Sequence, residues 1–90
     1  MTESKRHSPI KVTRVQTGVR LEQRMLKVLK ALAELFDISL GDLLEGIVLH
    51  AFEGKSAFDR ETLERIKVLK QVYRMDYDAS ASHCFIEETN

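Results

Sequence analysis

Apolar and polar residues alternate with a period of two between Val12 and Leu21, and the pattern then changes to a helical one. In this stretch Arg14, Gln16, Gly18 and Arg20 fall on one side of an extended chain, while Val15, Thr17, Val19 and Leu21 fall on the other. The alternation predicts a short strand. A lone strand can neither cover its apolar side nor satisfy its backbone edges. No second convincing strand follows, so the expected partner is the same segment of a second copy.

From Glu22 to Phe36 the apolar residues Met25, Val28, Leu29, Leu32 and Phe36 recur at helical spacing, widened by Leu26, Ala33 and Leu35. Lys27, Lys30 and Glu34 take the polar side. The helix is expected to stop at Asp37-Ile38-Ser39. Ser39 reads as an N-cap, and Asp42 as an inward-turned member of a capping-box variant. The second helix is expected from Leu40 to about Phe52, with Leu40, Leu43, Leu44, Ile47, Val48, Ala51 and Phe52 on a broad apolar face that Leu49 extends. So wide a face requires burial on more than one side, which an intertwined dimer supplies. After Gly54, Ser56 with Asp59 reads as a further cap, opening a third helix to about Met75. Leu63, Ile66, Leu69 and Tyr73 form its stripe, with Val72 beside it. The tail is polar, with Tyr77, Phe85 and Ile86 as docking points.

Ninety residues bound the chain to one small domain, close to the size at which a single core is marginal. A hydrophobic content of 43% argues against wholesale disorder. No apolar run approaches a membrane span, and the first residues lack the apolar stretch of a secretory signal. The single cysteine, Cys84, excludes an internal disulfide and suits a reducing compartment, so the expected location is cytoplasmic. Net charge is zero, but its distribution is uneven. Residues 1–30 hold eight Lys and Arg against two Glu, a net of +6, and the remainder therefore carries −6. Such asymmetry points to a polyanion-binding end.

The ordered combination of strand, apolar helix ending in Leu32-Ala33, short serine-capped turn and second apolar helix resembles the ribbon-helix-helix family of dimeric DNA-binding proteins. The carrying segment is Val19 to Leu44, and the likeness covers residues 12–53. It implies a mainly α fold with one short strand per subunit: an intertwined homodimer with a two-stranded antiparallel intersubunit sheet on four helices, here with an extra C-terminal helix. It also implies a ribbon in the DNA major groove, with Arg14, Gln16, Gly18 and Arg20 against base edges. The start of the second helix, Ser39, Leu40 and Gly41, would hold a backbone phosphate, with Lys11 adding attraction. Val15, Val19, Leu21, Met25, Leu29, Leu32, Leu43 and Ile47 would form the dimer core. Gly18 and Asp37 depart from the family's pattern, which usually has a base-touching side chain at the first and glycine at the second. The expected organisation is a flexible basic arm over 1–10, the dimerising and DNA-binding unit over 11–53, a C-terminal helix over 54–76 and a polar tail over 77–90.

The residue chemistry agrees with that implication. An Arg guanidinium bonds bidentately to guanine and a Gln amide to adenine, each worth about 1–3 kcal/mol of discrimination. Free N–H groups and the positive dipole at a helix start suit a phosphate. The function expected is sequence-specific transcriptional regulation, as a repressor. The alternative is an antitoxin-like interaction module that binds a partner protein through residues 54–90. His50 reads as a core or boundary histidine. Asp76, Asp78, His83 and Cys84 lack ligand spacing, so no metal or other cofactor is expected. Nothing supplies an oriented nucleophile or an oxyanion site, and no enzymatic activity is expected.

Overall fold

The computed structural model describes residues 8–88; most of the expected basic arm, residues 1–7, and residues 89–90 lie outside the described residues. Three helices follow one another: α1 (Gln23–Phe36), α2 (Leu40–Phe52) and α3 (Arg60–Val72), with a 3₁₀ turn at Ala79–Ala81. The helical stripes place them within a residue or two of expectation at most ends. Each helix starts on a side-chain cap. The Glu22 carboxylate accepts from the amides of Arg24 and Met25, the Ser39 hydroxyl from that of Asp42, and the Asp59 carboxylate from that of Thr62.

α1 lies between the other two and packs against both. The core is small: Leu32, Ala33 and Leu43, with Leu29, Ile47, Phe58, Ile66 and Leu69 packed round it and Val28 buried nearby. Leu29 and Leu32 face inward because they share a stripe at i and i+3, and Ile66 and Leu69 of α3 meet that stripe at the same spacing.

The expected strand is overturned, and with it the ribbon-helix-helix architecture and its two-stranded sheet. Among the described residues there is no strand, and the fold is a small all-helical one. A strand exists only through ladder bonds to a neighbour. Residues 8–21 make no backbone hydrogen bond to other described residues. Their apolar side is not laid on the helices: Val15 is 81% exposed and Val19 72%. Alternation marked two sides of this segment without specifying a partner for either.

Three smaller expectations are also corrected. The cap of α3 is Asp59, not Ser56, whose hydroxyl instead closes a local turn on the backbone of Phe58. α3 ends at Val72, because Arg74 adopts the left-handed conformation with φ 57°. Asp42 is not turned inward: its side of α2 is exposed, and only its amide joins the cap, 3.0 Å from Ser39 Oγ.

Candidate nucleic-acid interface

Residues 8–21 run in irregular, exposed backbone up to Glu22, the cap of α1. Arg14 reaches α2, where its Nε and Nη2 donate to the two carboxylate oxygens of Glu45 at 3.0 and 2.8 Å. This fork geometry is the one a guanidinium uses on any planar pair of acceptors. The hydrogen bond to Glu45 raises the Arg14 pKa and holds the Glu45 carboxyl below its usual range. Both side chains remain exposed to water, so the pair contributes little to stability.

Arg20 meets a different carboxylate, that of Glu87 in the tail. The two arginines expected at base edges are therefore drawn to separate places, one to the first turns of α2 and the other to the C-terminal tail. Lys11, Gln16 and Gly18 are exposed between and before them. Gly18 has neither a positive φ nor any atom within 4 Å of where a side chain would begin, so no close backbone approach calls for glycine there.

At the start of α2, Ser39 and Gly41 are exposed and Leu40 is half-buried. The Ser39 hydroxyl satisfies the Asp42 amide, which leaves the amides of Leu40 and Gly41 without helical acceptors, as at any first turn. Asp42 and Glu45 place negative charge beside this helix start, and Arg14 lies against it. Arg14 is thus the one expected base-contacting residue brought close to the expected phosphate site.

Of the residues assigned to a dimer core, Leu32 and Leu43 are buried within this chain and Met25, Leu29 and Ile47 are half-buried. Val15, Val19 and Leu21 stay exposed. Compared with known proteins, the chain matches no family model, no curated protein and no solved structure. No helix among the described residues is long and apolar enough to cross a membrane.

A cluster that local spacing did not reveal sits where the extended segment enters α1. Glu22 accepts from the Tyr77 hydroxyl at 2.5 Å and from Arg24 Nε at 3.0 Å, besides its two cap amides. Arg24 Nη1 donates onward to Asp76 Oδ1 at 3.1 Å and to the Arg74 carbonyl at 3.2 Å. Burial raises the Glu22 pKa, but these donors outweigh it and bring the pKa down to about 2. Burial and the bond to Glu22 push Tyr77 up to about 12. Of the four residues weighed as metal ligands, Asp76 is engaged by Arg24, Asp78 caps the 3₁₀ turn through Ser80, and His83 and Cys84 are exposed. His50 is exposed on α2, its Nδ1–H donating to the Gly46 carbonyl at 2.7 Å.

Proposed function

We propose that this chain is a cytoplasmic, sequence-specific DNA-binding regulator, acting as a repressor and working as a homodimer. In this reading the extended basic segment, residues 11–20, carries the base contacts. The observation that carries it is the exposure of Lys11, Arg14, Gln16 and Arg20 on a segment that makes no backbone hydrogen bond to other described residues. The backbone of such a segment can follow a groove once the exposed pairs Arg14–Glu45 and Arg20–Glu87 part, and its side chains are the types that read base edges. The start of α2, with a capping serine and a glycine, supplies two unsatisfied amides for a phosphate.

The homodimer is supported by apolar side chains left in water. Val15 and Val19 in the segment, and Val48, Leu49 and Phe52 on α2, are between 44% and 81% exposed. The occupant we assign to these surfaces is a second copy of the chain.

Selection of a bound duplex from a randomised pool, followed by titration of variants, tests the reading. Arg20→Ala is expected to weaken the selected duplex by about 1–3 kcal/mol while leaving the helical circular dichroism unchanged. Lys11→Ala should weaken selected and unselected duplexes alike and lower the salt slope by about one. If Arg14, Gln16 and Arg20 are all replaced by Ala and affinity at moderate salt is retained, the reading is wrong. A second reading, an antitoxin-like module binding a partner protein through residues 54–90, is favoured by Val68 and Val72. These lie one turn apart on α3 and are 57% and 63% exposed. It assigns the partner to α3 and leaves the segment before α1 free for DNA.

A further inference from the structure

We propose that the C-terminal tail is an intramolecular competitor for the DNA-binding cations: residues 77–88 fold back along the start of α1 and hold Glu87 on Arg20. This rests on the DNA-binding reading above and adds a restraint to it.

The tail is anchored by contacts that have nothing to do with nucleic acid. Tyr77 donates to Glu22, the cap of α1, and lies under the Arg24 guanidinium, 5.4 Å from the ring centroid. Arg24 also holds Asp76. The chain then turns through the Asp78-capped 3₁₀ turn, and Phe85 comes back edge-on to Tyr77, with centroids 5.1 Å apart and an interplanar angle of 77°. Two residues further on, Glu87 meets Arg20, two residues before the Glu22 cap. Residues 20–24 and 85–88 thus form the two walls of an open cleft of about 790 Å³.

The chemistry of this return matches the site it covers. Glu87 and Glu88 put two adjacent carboxylates beside the basic segment, the same sign of charge as a phosphate backbone. Tethering makes the competition intramolecular, at an effective concentration in the millimolar range typical of short linkers. Both side chains are largely in water, 84% exposed for Arg20 and 66% for Glu87, so the pair is a weak brake and not a lock. An exposed ion pair shifts a competing equilibrium by no more than about fivefold, and salt weakens it further. Arg14 is held in a parallel way by Glu45, but from within the helical unit, where no movement of the tail can release it.

The test uses the full chain and a mixed-sequence duplex at low ionic strength. Phe85→Ala removes the anchor without changing charge, and Glu87→Gln removes the competing carboxylate. Glu61→Gln, on α3 and paired there with Arg65, makes the same charge change away from the tail. Phe85→Ala and Glu87→Gln are expected to raise duplex affinity about two- to fivefold, more than Glu61→Gln does, with the gain shrinking as salt rises. In an Arg20→Ala background the gain from Glu87→Gln should disappear. If Glu87→Gln does no more than Glu61→Gln, or its gain persists without Arg20, the competitor role is overturned while DNA binding stands. A duplex bound by no form of the protein overturns both. Should Phe85→Ala lose helical signal, the Glu87→Gln and Arg20→Ala cycle decides alone.

Discussion

The Glu22 carboxylate accepts from two backbone amides, a guanidinium and the Tyr77 hydroxyl, so one side chain both starts α1 and holds the tail. Its ordinary pKa of 4.5 falls to about 2 in the folded chain. A depressed carboxylate contributes stability fully above its unfolded pKa and loses it as pH drops through the folded one. Stability should therefore decline between about pH 5 and pH 2. Tyr77 moves the other way, from 10.0 to about 12, so its contribution is complete below pH 10 and is lost as pH rises toward 12. Urea midpoints across pH should show both limbs. Tyr77→Phe should remove the alkaline limb and make the acid limb shallower, and a Tyr77→Phe profile identical to wild type would refute the coupling. Glu22→Ala, which takes away cap and anchor together, should cost about 1–3 kcal/mol. None of this was legible from local pattern. Glutamate is a poor N-cap on average, and the partner of Glu22 lies 55 residues away.

The three helices end alike, on a left-handed residue followed by an amide that reaches back five residues. Ile38 N–H donates to Ala33 at 3.0 Å, Lys55 N–H to His50 at 2.9 Å and Met75 N–H to Lys70 at 2.8 Å. The left-handed residues are Asp37 (φ 58°), Gly54 (φ 69°) and Arg74 (φ 57°), so only α2 ends on the residue suited to it. Asp37→Gly should therefore stabilise the chain by about 0.5–1 kcal/mol, the relieved strain exceeding the added freedom of the unfolded backbone. A thermal midpoint that falls would contradict this. At this scale the sequence was readable wherever a stripe and a stop signal coincided. The stripes of α1, α2 and α3 place all three helices, and Asp37-Ile38-Ser39 places the first break. The segment before them misled, because Val15, Val19 and Leu21 alternate with polar residues yet have no ladder partner among the described residues. Arg14 and Arg20 were legible as exposed cations. Their carboxylate partners, Glu45 and Glu87, lie too far along the chain for spacing to reveal.

At the scale of the molecule, the described residues leave much side-chain surface outside the core. Much of what is left out is apolar: Phe52 is 81% exposed, Leu49 63% and Val15 81%. The buried core, by contrast, is little more than Val28, Leu32, Ala33 and Leu43. A core of this size gives a marginal fold, and marginal folds gain most from association. The proposed homodimer therefore predicts a thermal midpoint that rises with protein concentration and a sedimentation mass of two chains. Leu49→Glu with Phe52→Glu is the informative variant. Both side chains already lie in water, so within one chain the change should cost less than about 0.5 kcal/mol each. In a dimer that covers them it buries two unpaired carboxylates per subunit, and the protein should become monomeric with a concentration-independent midpoint. If the wild-type chain itself sediments as a monomer at every concentration, these apolar side chains remain in water and the dimer is refuted. DNA binding by residues 11–20 would then have to proceed from a single chain, with one set of Arg14, Gln16 and Arg20 in place of two.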